Sequence, residues 1–589
     1  MKFKHIALGI VAGALLSGCT DLDETLYSQL NDSNLDFTDI NDISLLEGEA
    51  VAKYRFIHVD WSGKFFLEEN CSDQWCTPGR TNGWGAHYIL EHKHAYGTND
   101  PWVENVWNLT YNCIIYCCKV LDALPEDAVQ ARAQMRFFRA MCYYHLLDLY
   151  RNVPLMTTMN VAADYVPPQA DSKTIFDFCV SEFSDIKETI GVTKNKGWGN
   201  KDAVCMALAK LYLNRGVYLS LDDNTEGYTN ALSYVQEIID DGRYSLCDNY
   251  SDNFKINANL QEAIFVVPED GTHAAHFPLT GYSLIDAGLA AFNSTAAAYN
   301  GSAAIPQFMK TYDVDWNAID NYNDTVSVIR DTRFSDCWAH DSQFNYNKST
   351  AKANDPSQGH ITYESGKWNN LQTSTNWLMY SCNLHNIEMT TMQEGYRLIK
   401  YEIEPGTAKG CSGDDFSIFR YADALLIKAE CLLRLGRDES VAVDLVNQVR
   451  QRAYKNGAAP DNYKVTLETL KGNSKYKYGT QNWGLNVESY DWSNYTYNED
   501  TNGEIVLGGL FDELGWEFCT EFGHRRQDMI RFKLTNGKSV FTGKSYFCKE
   551  AATDNHAEIY SIPEAIMQTN KNLKQNPGYD ASQNVTFSE

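Results

Sequence analysis

Apolar residues recur with the helical period through much of the chain. Ala231, Tyr234, Val235, Ile238 and Ile239 fall at i, i+3, i+4, i+7 and i+8, one stripe of an amphipathic helix. Ala422, Leu425, Leu426, Ala429, Leu432 and Leu433 repeat the pattern over three turns. A turn at Gly436 follows, and Ala442, Leu445, Val446 and Val449 begin a second stripe. Two such helices cannot bury their apolar faces alone, so they are expected to pack as hairpins and to stack. Similar stripes predict helices near 102–124, 127–150, 173–190 and 201–221. The predicted fold is mostly α, a tetratricopeptide-like scaffold of helical hairpins with a degenerate repeat. Short strands are expected near 262–268 and 558–562.

The helical period fails over 60–100, 270–380 and 472–506, which are rich in Asn, Asp, Gly, Ser, Trp and Tyr. These stretches are too long to be plain connectors, and long ordered loops usually carry function. They predict aromatic-rich insertions that form a second subdomain on the scaffold. The expected division is a signal peptide over 1–18, a tether over 19–45 and a helical scaffold with a binding loop over 46–269. A loop-rich insertion over 270–416 follows. The last part, 417–589, holds a helical hairpin, the aromatic loop 472–506 and a closing segment.

The first residues carry processing information. Lys2, Lys4 and His5 precede a short apolar run from Ile6 to Leu16, too short to span a bilayer. The run ends in Leu16-Ser17-Gly18-Cys19, the form of a bacterial lipobox, so Cys19 is the predicted lipidation site. Acyl chains contribute about 0.8 kcal/mol per buried methylene, and two or more hold a protein stably on a membrane. The acidic, polar residues that follow, with Asp21, Asp23 and Glu24 first, read as a tether. No later stretch has the apolar length to cross a membrane.

The formal net charge of −27 argues against nucleic acid and anionic lipid as partner surfaces, while leaving a neutral ligand open. Cys113, Cys117, Cys118, Cys142, Cys205, Cys431 and Cys519 sit in apolar helical patterns and read as buried thiols. Cys71 and Cys76 could pair or, with His87, His92 and His94, hold a metal, but the spacing is not a standard zinc spacing.

Five segments in order give the chain a family resemblance. They are ARAQMRFFRAMCYYHLLDLYRNVPLMT from Ala131 to Thr157, AVCMALAKLYLN from Ala203 to Asn214 and FRYADALLIKAECLL from Phe419 to Leu433. EFCTEFGHRRQDMIRF follows from Glu517 to Phe532, and then Ile562-Pro563 with Gln575-Asn576-Pro577-Gly578-Tyr579. Together, after a lipobox, they resemble the SusD/RagB family of outer-membrane nutrient-binding lipoproteins. Phe522 before Gly523 and Leu514 after Glu513 depart from the family's usual pattern. The resemblance implies a lipid-anchored, cell-surface protein that captures oligosaccharide or polysaccharide. It also implies a partner, a SusC-like TonB-dependent outer-membrane transporter that receives the ligand. Arg420, Asp423, Arg525, Asp528 and Arg531 of the quoted motifs are expected to form ion pairs and helix contacts, not to bind ligand.

A sugar ring presents an apolar C–H face and a rim of hydroxyls, so it suits flat Trp and Tyr faces flanked by Arg, Asn and Asp. The chain has 13 Trp and 36 Tyr, many of them in the irregular stretches. In the loop SDQWCTPGRTNGWGAHY, the family's pattern of an aromatic, an Arg and an acidic residue matches Trp84, Arg80 and Asp73, with Trp75 and Asn82 beside them. The resemblance places a second aromatic just before NGSAAIPQFMKTYD, at Tyr299, and Trp316 and Trp338 are further candidate faces. Trp102 and Trp107, on a helical stripe with Val103 and Val106, are assigned to the core, and Trp483 and Trp492 in the Tyr-rich loop remain open. No cofactor is predicted. Calcium is a further candidate ion, since Asp313, Asp315 and Asn317 fit the start of an EF-hand loop and Asp324 its twelfth position. Ala318, however, stands where the sharp turn needs Gly.

A surface glycoside hydrolase would need two carboxylates set across the scissile bond, and among 77 acidic residues no motif singles out a pair. There is no H-E-x-x-H or G-x-S-x-G, and Gly543-Lys544-Ser545 lacks the phosphate-loop glycine, with Lys538 in its place. The chain is therefore read as a binder and not an enzyme. Peptide capture, as in RagB-like uptake, is the alternative ligand class.

Overall fold

The structure, a computed structural model, describes residues 40–80, 82–256, 261–269, 279–316, 329–363, 377–406, 413–454, 462–486, 491–521 and 523–579. Cys19 and the acidic stretch after it lie outside these residues, as do Asn317 and Asp324. The helices predicted by the apolar stripes form, together with others that no stripe announced. They are α1 (Ile40–Val59), α2 (His87–His92), α3 (Pro101–Ala123), α4 (Val129–Tyr150), α5 (Ser172–Ile190), α6 (Lys201–Leu213) and α7 (Thr225–Asp241). After the insertion come α8 (Tyr421–Leu435), α9 (Glu439–Gln451), α10 (Gly508–Glu517) and α11 (His524–Arg531). Helix α1 starts at Ile40, inside the stretch expected to be tether, because Ile43, Leu46 and Ala50 give it a buried face.

Caps set the boundaries. Asp100 accepts from the backbone N–H of Trp102 (2.9 Å) and Val103 (3.2 Å), with Pro101 at the first helical position of α3. Asp171 and Asn200 cap α5 and α6 in the same way. Gly242 (φ +63°) and Gly436 (φ +60°) end α7 and α8 in the left-handed conformation. Consecutive helices pack pairwise, α3 on α4, α4 on α5, α6 on α7 and α8 on α9, while α7 also packs on α8 across the insertion. This is the expected mostly α scaffold of stacked hairpins. The helical thiols at 113, 117, 118, 142, 205, 431 and 519 are buried and unbridged, and so are Cys71 and Cys76.

Three elements depart from expectation. The stripe over 201–221 breaks at Asn214, whose side chain turns back to the Lys210 carbonyl at 3.1 Å. The strand near 262–268 exists (Ala263–Val267) and pairs antiparallel with Phe416–Arg420. The one expected near 558–562 does not form. There the backbone bonds to Leu149 O and to the side chains of Gln575 and Asn576, which leaves no ladder for a partner strand. The stretch 472–506, expected to be a loop, contains an antiparallel hairpin of Gly479–Asn486 with Asp491–Glu499.

A buried ionic network joins scaffold, insertion and C-terminal segment. Arg420 bonds Glu262, Glu517 and Glu521, Arg333 bonds Asp331, Glu513 and Glu517, and Lys400 reaches Glu521 at 2.6 Å. Burial pushes the Glu517 carboxyl up, but the guanidiniums of Arg452, Arg420 and Arg333 outweigh it and hold the group at about 2. Arg525 pairs with Asp73, Arg531 with Glu430 and Asp528, and Asp423 with Lys210. The charged residues of the quoted motifs are thus structural. Among the described residues, no helix is long and apolar enough to cross a membrane.

Candidate functional site

The irregular stretch after α1 is tied to the insertion by a two-residue pairing, Trp75 opposite Ala304 and Cys76 opposite Ala303. This pairing brings the 299–301 backbone beneath the loop that carries Trp84. The loop then turns sharply through Gly83 (φ +98°), Gly85 (φ +122°) and Ala86 (φ +48°) into α2. Gly85 has no room for a side chain, since a Cβ would lie 3.0 Å from both Gly79 Cα and Ile89 Cδ1.

Three predicted residues meet there. The Trp84 indole Nε1 donates to Tyr299 O at 2.6 Å, and the Asn82 Nδ2 donates to the same oxygen at 2.7 Å. The Trp84 ring rests against bare backbone, because a Cβ on Gly301 would sit 2.8 Å from its Cε2. Behind it, Tyr282 and Tyr88 lie at ring-centroid distances of 5.2 and 5.6 Å, and Tyr282 also backs Tyr299 at 5.8 Å. Tyr88 and Tyr282 are buried, Trp84 is half-buried, Asn82 is exposed and Tyr299 keeps 39% of its surface exposed. The result is an aromatic shelf open to solvent with a short amide at its rim. Burial pushes the Tyr88 and Tyr282 hydroxyls above their usual range and the His87 imidazole below its own. At neutral pH these three side chains are therefore uncharged.

Arg80 lies under this shelf, not on it. Its guanidinium donates to the backbone carbonyls of Gly301 (2.9 Å), Thr391 (2.5 Å) and Glu394 (3.0 Å), and the residue is buried. It positions the Gly301 backbone against which Trp84 packs. Burial, with Arg397 nearby, lowers its affinity for the proton.

Burial corrects three of the other predicted contacts, Asp73, Trp75 and Trp338. Asp73 has no exposed surface and forms a two-bond pair with Arg525 (2.6 and 3.0 Å), while the Tyr478 hydroxyl donates to it at 2.6 Å. Trp75 and Trp338 are fully buried and pack near each other at 6.2 Å, so neither can stack on a ligand. Trp316 is half-buried against Phe334, with Lys310 over its ring, and does not join the Trp84 cluster. Asp313 of the calcium pattern is bonded to Arg330 at 2.7 Å. Among the described residues, no group of three His, Cys, Asp or Glu could hold a metal ion. His92 and His94 are instead bonded to the Phe547 and Cys71 carbonyls. The side chains of Trp483 and Trp492 lie outside the described residues.

The shelf also continues where the sequence reading did not look. Tyr88 is 6.0 Å from Trp102, and Trp102 is 5.0 Å from Trp61, in an edge-on arrangement. Trp107 is buried, as assigned, but Trp102 is only half-buried, and Trp61 keeps 47% of its surface exposed. The available signal for Trp61 was its place between Asp60 and Ser62-Gly63, a run of turn-forming residues.

Comparison with known proteins concerns the family and the fold. Residues 320–579 match the family model described as the SusD family. The starch-binding protein SusD of Bacteroides thetaiotaomicron is 23% identical over 473 residues, covering 77% of this chain and 73% of that protein. Among solved structures, a SusD superfamily protein from Parabacteroides distasonis superposes with a TM-score of 0.64 at 18% identity, over 94% of this chain and all of that one. A laminarin-binding SusD-like protein superposes with a TM-score of 0.57 at 15% identity, over 92% of this chain and 99% of that one. These structural likenesses establish the fold.

Proposed function

This chain belongs to the SusD family, and from that premise we propose that it captures oligosaccharide or polysaccharide at a bacterial cell surface. On this reading Cys19 carries the lipid anchor in the outer membrane, and a SusC-like TonB-dependent transporter receives the ligand. The observation that carries the binding role is the convergence of Trp84, Tyr299 and Asn82 on one exposed ledge. Aromatic faces there can take the C–H side of a sugar ring while the amide reaches its hydroxyls. The starch and laminarin ligands named for the two relatives support a glucan-like class of ligand. An isolated ledge of this kind binds at roughly micromolar to millimolar strength, which suits a protein that must also release its ligand. The role is binding and not bond cleavage.

The test is native gel electrophoresis through a panel of polysaccharides that includes starch, laminarin, xylan, mannan and pectin. At least one should retard the chain, and Trp84→Ala should abolish the retardation. Reducing-sugar release during incubation would count for a hydrolase. Failure of every polysaccharide, with a peptide recovered on the purified chain by mass spectrometry, would replace the glycan by a peptide.

A further inference from the structure

We propose that Trp61 is a second sugar-stacking plate, and that the ligand of this face is a chain of linked sugar rings spanning Trp84–Tyr299 and Trp61. The inference rests on the glycan reading of the Trp84 ledge and deepens it. A single exposed tryptophan on a protein surface needs no explanation. Trp61 is not single. It ends an unbroken line of rings, with steps of 5.6 Å from Trp84 to Tyr88, 6.0 Å to Trp102 and 5.0 Å to Trp61. Tyr88 is buried, Trp102 and Trp84 are half-buried, and Trp61 is open to solvent. A ligand that touches both end plates must bridge the two rings between them, which suits linked sugar rings better than a single one.

The turn that carries Trp61 is rigid. Asp60 Oδ1 accepts from Ser62 N (2.9 Å) and Ser62 Oγ (2.6 Å), and Asn105 Nδ2, from helix α3, donates to Ser62 Oγ at 2.8 Å. Gly63 N closes the turn on Asp60 O at 2.8 Å, and a Cβ on Gly63 would lie 2.8 Å from that same oxygen. The supporting Trp102 is pinned in the first turn of α3 by the Asp100 cap. An indole held exposed on an ordered turn and backed by a second indole is preorganised for stacking, which lowers the ordering cost of binding.

One hydrogen-bonding group adjoins Trp61 in the turn. The Asp60 Oδ2 accepts no hydrogen bond from the described residues, because the ties to Ser62 and Asn105 use Oδ1. The Asp60 charge also adds to the upward push that burial gives the Tyr88 and Tyr282 hydroxyls, and the residue directly precedes Trp61 in the turn. A carboxylate with a free oxygen beside an aromatic face is a strong acceptor for sugar hydroxyls.

The test uses the full chain, the polysaccharide that retards it in the gel panel and a size-graded ladder of fragments of that polysaccharide, measured by isothermal titration calorimetry. Trp61→Ala should weaken the longer fragments about tenfold and leave the shortest binding fragment within twofold, whereas Trp84→Ala should weaken all of them. Trp61→Tyr, which restores a ring, should recover most of the loss, and the urea unfolding midpoint of each variant checks that the fold is intact. The proposal is overturned if Trp61→Ala leaves the longest fragments unchanged, or if it weakens short and long fragments equally. Should Trp84→Ala leave every fragment unchanged, the ledge reading itself fails, an outcome the Trp61 variant alone cannot produce.

Discussion

Replacing Asp73 by alanine separates a ligand contact from a structural ion pair. The carboxylate and its partner Arg525 have side-chain exposures of 0% and 2%, and they meet through two hydrogen bonds. Removing Asp73 leaves the Arg525 guanidinium buried without its counter-charge, which costs about 3–5 kcal/mol. The Tyr478 hydroxyl, donating to Asp73 at 2.6 Å, also loses its acceptor, so the upper half of that range is expected. The measurement is urea unfolding followed by tryptophan fluorescence, with glycan binding tested in parallel well below the transition. Asp73→Ala should unfold at markedly lower urea, while the protein that remains folded binds within about twofold of the parent. Arg525→Met should cost about as much. The double variant should cost clearly less than the two single changes added together, since it leaves no buried charge behind. If Asp73→Ala unfolds with the parent but loses glycan binding, Asp73 is a ligand contact and the burial argument is wrong.

Gly301→Ala should push the Trp84 ring off its seat and weaken glycan binding at least tenfold, read by calorimetry, with an unfolding midpoint close to the parent's, because the displaced ring is at the surface. Trp338→Ala, at a fully buried site, should lower stability by about 3–5 kcal/mol with no separate effect on affinity. Glu430 is held at about 2, since Arg531 and Arg434 outweigh the upward push of burial. Its depressed value means that its contribution is complete above the unfolded carboxylate range and fades as pH falls toward 2. The stability difference between the parent and Glu430→Gln should therefore be largest near neutrality and shrink with acid in urea titrations. Asp336 behaves oppositely, because burial raises it to about 7 and the protein loses stability as pH climbs from the unfolded value toward 7. Asp336→Asn should raise the unfolding temperature at pH 8 and leave it nearly unchanged near pH 4.

The helical scaffold could be read from the chain because its information is local. Apolar stripes at Ala231–Ile239 and Ala422–Val449, the caps Asp100, Asp171 and Asn200, and the stops Gly242 and Gly436 each act within a few residues. Trp84, Asn82 and Tyr299 were also legible as candidates, since the family resemblance pointed to their loops and their residue types suit a sugar. What separated them from Asp73, Trp75 and Trp338 was not in the sequence, because exposure is a property of the packed chain. Whether a loop tryptophan faces water depends on what the insertion lays across it. Trp75 is sealed by pairing with Ala304 and packing near Trp338, whereas Trp84 stops on the bare backbone of Gly301 with one side open. Trp61 joined the shelf only because α3 sets Trp102 beneath it, a meeting of segments some forty positions apart that no local pattern encodes.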